Sequence, residues 1–565
     1  MAPAVLAAAA AVLVAVSLPP ARIALPAGEG DGTIAGAIHV HSSRSDGRSS
    51  PDEIVAIAAR AGLKFVIFGD HGDATRTPEP PRYQAGVLCL DGVEISTTGG
   101  HYVVFDMPAS PYPLGGDARD VVEDVRRLGG FGVVAHPDSP KPELRWREWT
   151  APFDAIEIVN PDTSWRVHVQ DRRWPSTLRL IEALVAYPFR PAEAIASLID
   201  ESPAMQARWD ALTPRRRVVG IAGIDAHAKL AVKEIDPGDN GYSIAIPSYE
   251  ASFRTLSVRV RPEQPLSGDA AADARAVMGA IRAGHLYTAL DGLASPPSFT
   301  FTASNRRGSA GEGDELAPGG PVALRVRSNA PAEFETMVWQ GSRVLASRKR
   351  EPDFTVTGSE EPAVYRVTVR AADRAHQPLW IVSNPIYVRG ADRGAIGARP
   401  AATTTRPLFD GRTAGGWHVE SDPTSLTALD LASTLTGAEL RLRYGLGGGR
   451  RADQFAALVA ETGEGLAQVD RLRFTARAEG PMRISVQFRV AVTPSEDERW
   501  QRSVYLSARD EERTVYVDDL TPVGVTRTYR PPLADVRSVL FVIDMTNTKP
   551  AASGRLWIGR AEVQQ

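Results

Sequence analysis

The chain has 565 residues, which is more than one hydrophobic core usually supports, so its length predicts two to four domains and we expect three. Its 43% hydrophobic residues, 23% charged residues and formal net charge of −4 are those of an ordinary soluble protein. It has no polybasic or acidic tail, so nucleic acid is not indicated as a partner. The single cysteine, Cys89, excludes an intrachain disulfide and is expected in a buried strand.

The N-terminal segment has the apolar run of a secretory signal. Ala4 to Leu18 is an almost uninterrupted series of Ala, Val and Leu, and Pro19 and Pro20 end it. No Lys or Arg precedes Arg22, so the positive region of a signal peptide is missing. The run is shorter than the ~20 residues of a spanning helix, and no second such run follows. We therefore predict a signal peptide or N-terminal anchor over residues 1–28, an exported (periplasmic or secreted) protein, and no further transmembrane span.

Residues 33–295 alternate short β-rich runs with amphipathic helices, which is typical of an α/β domain built on parallel strands. Ile34 to Val40 predicts the first strand. Ser50-Pro51-Asp52-Glu53 then provides an N-cap, a proline at the first helical position and a capping-box glutamate. About seven strands are expected in this domain, over residues 34–40, 64–69, 87–95, 102–105, 132–135, 155–159 and 218–224.

The remainder of the chain lacks helical periodicity and predicts two all-β domains. Short alternating runs such as 322–326 and 364–369 indicate an Ig-like β-sandwich over residues 296–390. A linker rich in Gly, Ala, Arg and Thr is expected over residues 391–406. Residues 407–565 predict a second β-sandwich of jelly-roll, galactose-binding-like type, with strands at 440–444, 471–476, 484–490, 503–506, 538–543 and 556–558.

Histidines are concentrated at the ends of predicted strands in the first domain. Six of the ten histidines in the chain lie there: His39, His41, His71, His101, His136 and His227. In His39-Val40-His41 the two side chains are two residues apart on a strand, so both imidazoles are expected on one face, where they could hold one metal ion. Asp225-Ala226-His227 repeats this spacing. One such pair is weak evidence, but the accumulation indicates a metal site.

Carboxylates accompany these histidines. Asp46 lies in a polar loop directly after the first strand, where an Asp-Gly pair alone more often forms a turn. Glu94 lies inside an otherwise apolar strand, and a buried unpaired carboxylate is costly unless a cation compensates it. A metal is the simplest explanation for this pattern.

The motifs resemble, in their order, those of the PHP (polymerase and histidinol phosphatase) superfamily. They comprise His39-Val40-His41, Ser45-Asp46-Gly47, Gly69-Asp70-His71, Gly92-Val93-Glu94, Gly99-Gly100-His101, Ala135-His136-Pro137 and Gly223-Ile224-Asp225-Ala226-His227. The match covers about residues 33 to 290, and the Gly99-Gly100-His101 spacing with the appended β domains is most similar to the exported CehA/McbA-like metallohydrolases. The resemblance implies a distorted (β/α)7 barrel with two or three divalent metal ions, commonly zinc, manganese or iron.

The resemblance also implies how the ligands are shared. One ion would be bound by His39, His41, Glu94 and Asp225. A second ion would be bound by Glu94, His101 and His136, so that Glu94 bridges the two ions. Asp46, His71 and His227 would bind a third. All of these residues except His101 are also the expected catalytic residues.

Clustered divalent ions activate water and stabilise charge on oxygens, so a small-molecule phosphoester is the expected substrate. A carboxyl ester or carbamate substrate on the same metals is the alternative. A metal-stabilised glycan-binding protein is the alternative of another class. Asp73, Lys141 and His168 are candidate general acids near the site segments, although each is more typical of a solvated loop.

Aromatic residues suggest two further surfaces. Tryptophans and arginines are interleaved between Lys141 and Trp174 and could form a substrate rim, with Asn160 at a strand end beside it. In the last domain, Trp417, Trp500 and Trp557 could contact a glycan. In both places the tryptophans could equally pack inside the fold, as large aromatic side chains commonly do.

Overall fold

The computed structural model describes residues 18–26, 30–231, 243–372, 374, 376–390, 401–435, 437–449, 453–493 and 496–565. It has a mixed α/β fold in which strands predominate. The described residues form two compact units. The first contains residues up to 108 and from 121 to 390, and the second contains residues 109–120 and the C-terminal region from 401.

The N-terminal part of the first unit combines strands with helices. Its strands are β1 (Ile23–Ala24), β2 (Ile34–Val40), β3 (Phe65–Phe68), β4 (Arg82–Gln84), β5 (Val87–Leu90), β6 (Gly92–Thr97), β7 (Gly100–Phe105), β8 (Phe131–Val134), β9 (Ala155–Val159), β10 (Val219–Ala222), β11 (Leu230–Ala231), β12 (Ser243–Ile244), β13 (Ser257–Val260), β14 (Leu286–Ala289) and β15 (Ala294–Ser295). The helices are α1 (Pro51–Arg60), α2 (Ala118–Arg127), α3 (Pro161–Asp171), α4 (Trp174–Ala186), α5 (Pro191–Ala196), α6 (Pro203–Leu212), α7 (Tyr249–Thr255) and α8 (Ala270–Ala283).

Seven of these strands form a closed ring. Its order is β2, β3, β6, β7, β8, β9, β10 and back to β2, and every strand except β7 runs in the same direction. Two seams close the ring with backbone hydrogen bonds. At one seam Glu94 N donates to Asp70 O (3.1 Å), and at the other Asp225 N donates to His39 O (2.7 Å). The carboxyl ends of the six parallel strands and the start of β7 therefore meet at one end of the ring.

Local signals explain the helix behind the first strand. The Ser50 side chain accepts from Glu53 N, and the Glu53 side chain accepts from Ser50 N, so α1 begins with the capping box that the sequence predicts. The single strand predicted over 87–95 is wrong, because the chain forms two strands separated at Asp91. That carboxylate accepts hydrogen bonds from Arg76 and from Glu79 N. Of the two, β5 lies beside β3 and β6 completes the ring.

The C-terminal part of the first unit is all β. Its strands are β16 (Phe299–Asn305), β17 (Gly308–Gly311), β18 (Glu315–Leu316), β19 (Ala323–Ser328), β20 (Glu335–Gln340), β21 (Arg343–Lys349), β22 (Asp353–Thr357), β23 (Ala363–Arg370), β24 (Leu379–Ser383) and β25 (Ile386–Val388). One sheet has the order β17-β16-β19-β22. The other continues without interruption through β24 and β14 into β13, β2, β3 and β5.

This continuity differs from the separate Ig-like domain expected over residues 296–390. The side chain of Asn384 both accepts from Gly220 N and donates to Gly220 O, each at 2.8 Å, and so joins the segment between β24 and β25 to β10. Trp380 Nε1 donates to Ala294 O (2.8 Å). Buried residues from both parts belong to one hydrophobic core. The segment therefore completes the core of the first unit.

The second unit is a β-sandwich of two six-stranded sheets with its own core. Every strand predicted there is present. The strands are β26 (Thr405–Phe409), β27 (Trp417–Ser421), β28 (Leu426–Thr434), β29 (Gly437–Gly445), β30 (Phe455–Glu461), β31 (Arg471–Ala478), β32 (Met482–Thr493), β33 (Glu496–Leu506), β34 (Glu511–Tyr516), β35 (Thr521–Pro522), β36 (Val536–Asp544) and β37 (Ser553–Gln564), with 3-10 turns at Val517–Asp519 and Leu533–Asp535.

Residues 1–17 and 27–29 of the predicted signal or anchor segment lie outside the described residues. Within the rest of that segment, β1 pairs with β15, so folded structure begins before the predicted boundary at 28. No helix within the described ranges is long and apolar enough to cross a membrane. Cys89 is buried in β5, as predicted.

Candidate metal centre

All nine predicted ligands lie at the carboxyl end of the seven-stranded ring. Strand direction explains this convergence, because four of the parallel strands carry ligands at or just beyond their ends, and β6 carries Glu94 within the strand. His101 begins β7, which runs the opposite way, and so it starts at the same end of the ring. The ligand positions are His39, His41 and Asp46 with β2, His71 after β3, Glu94 in β6, His101 in β7, His136 after β8, and Asp225 and His227 after β10.

The first set of donor atoms surrounds one oxygen of Glu94. His39 Nε2 and His41 Nε2 lie 3.0 Å apart, and each is 3.2 Å from Glu94 Oε2. Asp225 Oδ1 lies 3.6 Å from His39 Nε2 and 3.5 Å from His41 Nε2. All four side chains are buried. The structure thus brings together the four residues expected to share one ion.

The second set faces the other oxygen of the same carboxylate. Glu94 Oε1 lies 2.8 Å from His101 Nδ1 and 2.9 Å from His136 Nε2. Glu94 therefore presents one oxygen to each of two groups of imidazole nitrogens, which is the arrangement that a bridging ligand requires.

The third set lies around Asp46. His227 Nε2 is 3.3 Å and His71 Nε2 is 3.7 Å from Asp46 Oδ2. Two contacts go beyond the sequence expectation. His41 Nδ1 lies 3.3 Å from Asp46 Oδ1, and His71 Nδ1 lies 3.3 Å from Glu94 Oε2, so both histidines face two sets at once. This set is also the most accessible, because the side chains of Asp46, His71 and His227 are 23%, 33% and 22% exposed.

The donor atoms fit divalent ions. Bonds of about 2.0–2.2 Å to a tetrahedral ion separate its ligand atoms by roughly 3.3–3.6 Å, close to the spacing in the first set. Hydrogen bonding alone does not account for the contacts, because five imidazoles face the two oxygens of Glu94. Cations at the centre of these sets would satisfy the nitrogens and carboxylates together.

The pKa shifts show that the histidines and the carboxylates of the site stabilise each other's charged forms. Burial lowers the pKa of His39 and His41, but the surrounding carboxylates outweigh it and hold both pKa values well above the usual range. For Glu94, burial raises the pKa, but the imidazoles outweigh it and hold the pKa well below the usual range. Burial also lowers the pKa of His136, and Glu94 then raises it to about 9. In the metal-free protein, protons on the imidazoles thus supply the positive charge that ions would replace.

Three ligand residues have left-handed backbone conformations. The φ angles are +65° at His39, +51° at Asp225 and +29° at His136. Such conformations cost about 1 kcal/mol or more for residues with a Cβ and cluster at functional sites. At His39 the pairing of β2 with β3 also shifts register. The two imidazoles of the His39-Val40-His41 motif therefore converge through an irregular strand end, whereas the motif alone predicts regular pleating.

Glu157 is the functional residue that the sequence analysis missed. It is buried in β9, and its Oε1 lies 2.6 Å from His39 Nδ1. Because a carboxylate cannot donate, Nδ1 carries a proton, and Nε2 is the nitrogen that a metal ion in the first set would bind after displacing the second proton. Glu157 Oε2 also accepts from His136 N (2.7 Å) and from Asn160 Nδ2 (2.8 Å). The available signal was a glutamate inside an apolar strand, the same signal that identified Glu94.

Other side chains hold the loops that carry the ligands. Asp70 accepts from Ser42 N (2.7 Å) and from Ser45 Oγ (2.8 Å), which fixes the loop leading to Asp46. Tyr249 OH donates to His41 O (2.7 Å). Asn160 lies beside the site as expected, 3.4 Å from Asp225 Oδ2, and also caps α3.

A glycine makes room for one of these groups. A Cβ at Gly223 would lie 1.8 Å from Glu157 Oε1, so a larger residue cannot occupy that position beside the carboxylate.

Two of the three candidate general acids, Asp73 and His168, have ordinary partners. Asp73 accepts from Thr75 in a loop, and His168 is buried and lies 3.1 Å from Asp200. In the predicted rim, Trp146 belongs to the core, whereas Trp165 lines a cleft beside Asp225.

Two of the three tryptophans predicted as glycan contacts in the second unit pack inside the fold. Trp417 and Trp500 are buried in the sandwich core. Trp557 is half-buried, with Arg477 over its ring at 4.1 Å.

No family model and no curated protein matches this sequence. Among solved structures, the chain is similar to the family 11 carbohydrate-binding module from Clostridium thermocellum in complex with a β-1,3-1,4-mixed-linked tetrasaccharide (TM-score 0.25, 14% identity, 29% of this chain and 96% of that chain). It is also similar to the family 30 carbohydrate-binding module of the cellulosomal cellulase Cel9D-Cel44B of Clostridium thermocellum (0.22, 12%, 28% and 96%). A third similarity is to CBM28, a carbohydrate-binding module specific for non-crystalline cellulose (0.22, 15%, 28% and 92%). These low scores carry no inference about the ligands of this chain.

Proposed function

We propose that this chain is a metal-dependent phosphoesterase of the PHP type, with two or three divalent ions (zinc, manganese or iron) at the carboxyl end of its seven-stranded ring. The observation that carries the proposal is Glu94, whose two oxygens face two separate sets of imidazole nitrogens. Structural metal sites are usually closed around a single ion with four protein ligands. Linked sets that share a carboxylate instead favour a catalytic cluster.

Each set has an assigned role in this proposal. One ion would be held by Glu94 together with His39, His41 and Asp225. A second ion would be held by Glu94 together with His101 and His136. The third ion would be held by Asp46, His71 and His227. When bound, such ions activate water and stabilise negative charge on the attacking and leaving oxygens of a phosphoester. A histidine-rich donor set favours borderline transition ions over calcium or magnesium.

The protein side chains prepare the site before substrate arrives. Glu157 fixes the orientation of His39, and Asn160 lies against Asp225. Because Asp46, His71 and His227 are the exposed members of the cluster, substrate would approach from their side. The buried members exclude bulk water from the opposite side, which strengthens the electrostatic interactions within the site.

The ring of six parallel strands and one reversed strand supports the distorted (β/α)7 barrel that the family resemblance implies. The jelly-roll, galactose-binding-like type of residues 407–565 remains a prediction from the sequence. Export of the protein remains a prediction from the sequence as well. Glycan binding by the second unit stays a prediction as well, and buried Trp417 and Trp500 cannot provide its contact surface.

The test pairs elemental analysis of the purified protein with hydrolysis assays after addition of manganese or zinc. The substrates are a phosphomonoester, a phosphodiester and an aryl ester. Two or three metals per chain with phosphoester turnover is the expected result. Turnover of the aryl ester alone would favour the carboxyl ester or carbamate hydrolase. Neither metal nor turnover would leave a binding protein as the better account.

A further inference from the structure

An apolar cleft adjoins the metal centre and is not used by the proposed function. Its volume is about 400 Å³, within the range of small-molecule sites. Asp225 and His227 form part of its wall, so the cleft opens directly onto the candidate metal ligands. Its apolar lining comes largely from α3, α4, α5 and the residues that follow α4 and α5, and it includes Trp165, Val169, Leu180, Leu184, Tyr187 and Leu198.

Two of the lining side chains are unusually exposed for their type. Leu184 is 60% and Val169 is 48% exposed, although each could bury its apolar surface against a ligand in the cleft. Leaving such side chains in water is unfavourable in proportion to the apolar area that they expose. An apolar occupant of the cleft would recover this free energy, whereas a sugar or a nucleotide phosphate would not.

A second cleft adjoins the centre at His71 and has a volume of about 350 Å³. Its charged lining consists of two arginines, Arg44 and Arg76, and five carboxylates, Asp70, Asp73, Glu79, Asp91 and Asp106. The metal centre therefore adjoins one apolar and one polar cavity. A substrate with a polar and an apolar part joined at a hydrolysable bond would match this arrangement.

We infer that the substrate is a phosphate ester of an alcohol with a flexible apolar chain, and that this chain occupies the cleft lined by Trp165, Leu180 and Leu184. The inference rests on the proposed phosphoesterase function and adds the class of substrate to it. In the reaction, the oxygen of water forms a bond to phosphorus, the ester P–O bond breaks, and the released apolar alcohol takes a proton.

Binding of non-hydrolysable analogues tests the inference without depending on turnover. The binding of methylphosphonate and octylphosphonate to the zinc-reconstituted protein would be measured by calorimetry. Each methylene moved from water into an apolar site is worth about fourfold in affinity, so octylphosphonate should bind at least ~100-fold more tightly than methylphosphonate. In Leu184→Asp, a negative charge would face the chain, and this ratio should fall below about tenfold.

Leu178→Asp is the matched control. Leu178 lies on the same helix α4 and is 39% exposed, but it does not line the cleft, so the ratio should stay as in the parent protein. Equal binding of the two phosphonates would overturn the inference and leave the phosphoesterase proposal intact. A preference for octylphosphonate that survives Leu184→Asp would also overturn it, because the chain would then bind elsewhere. Binding of neither phosphonate would count against both proposals.

Discussion

Glu157 determines which nitrogen of His39 is available at the centre, although it is not itself one of the proposed ligands. Its oxygen lies 2.6 Å from His39 Nδ1 in a fully buried pair. Loss of such an orienting carboxylate typically weakens metal binding by about 10–100-fold. We therefore expect Glu157→Gln to lower zinc affinity by this factor, as measured by competition with a chromophoric chelator.

The control for this variant is Glu143→Gln, which changes an exposed glutamate in the segment after β8. It should leave zinc affinity unchanged. An unaltered affinity in Glu157→Gln would show that His39 does not need this partner, and would remove Glu157 from the site.

The protonation of His136 predicts a pH dependence. Its pKa is about 9 in the folded metal-free protein, above the ordinary value of 6.5. The protonated form therefore stabilises the metal-free protein below pH 6.5, and this stabilisation is lost as the pH rises through 9. Metal must displace the same proton, so the difference in melting temperature between metal-loaded and metal-free protein should grow across this window.

Thermal unfolding after chelator treatment would measure this difference. In His136→Gln, the loss of metal-free stability between pH 6.5 and 9 should be smaller, whereas His418→Gln, at an exposed histidine of the second unit, should behave like the parent. A difference in melting temperature that stays constant or shrinks with pH would contradict the predicted protonation.

At the scale of single residues, the ligands were predictable because each follows or interrupts an apolar strand. Glu157 gave the same signal in Ala155 to Val159 but lacked a neighbouring histidine motif. The left-handed conformations of His39 and Asp225 could not be predicted either, because they arise where β2 and β10 meet at the seam of the ring.

Among the secondary structure elements, the segment between β24 and β25 is joined to β10 by Asn384, in addition to the pairing of β24 with β14. Its amide makes two hydrogen bonds of 2.8 Å to the backbone of Gly220. Asn384→Leu would leave a buried N–H and a buried C=O without partners, at about 1–3 kcal/mol each. We expect the free energy of unfolding of the first unit to fall by about 2–4 kcal/mol in chemical denaturation.

The corresponding control is Asn305→Leu, at a half-buried asparagine that ends β16. It should cost less than about 1 kcal/mol, because water can replace its hydrogen bonds. If Asn384→Leu cost no more than this control, the junction between β10 and the Asn384 segment would not contribute to stability.

Element types were predictable from periodicity, but their partners were not. The strands at 34–40 and 155–159 have the predicted bounds because apolar runs end there at polar residues. The division of 87–95 into β5 and β6 depends on Arg76 and the loop at Glu79. Both donate hydrogen bonds to Asp91, although they are remote from it in the sequence. Such contacts leave no periodic signal.

For the whole molecule, the structure has two compact units where the sequence predicted three domains. The predicted boundary at 296 followed a real change in composition, but the sheet continues across it from β14 to β24. Residues 109–120 group with the C-terminal region, where Asn547 Nδ2 donates to Pro113 O (3.0 Å). More than 400 residues separate these partners, so no local pattern could reveal the contact.

The shared core of the first unit predicts how truncated chains behave. A fragment that ends at residue 295 would expose the apolar faces that β23 and β24 cover, so it should be insoluble or molten. A fragment that ends at residue 390 keeps this core and should unfold cooperatively with bound metal. Limited proteolysis and calorimetry of both fragments would measure the difference. A stable, metal-binding fragment ending at 295 would restore the predicted domain boundary.

The most direct test of the central claim is the metal content of the protein and of its Glu94→Gln variant after reconstitution with zinc or manganese. We predict two or three ions per chain in the parent and the loss of at least one in the variant, because one carboxylate serves two donor sets. A parent protein that binds no metal, or a variant that keeps every ion, would contradict this prediction.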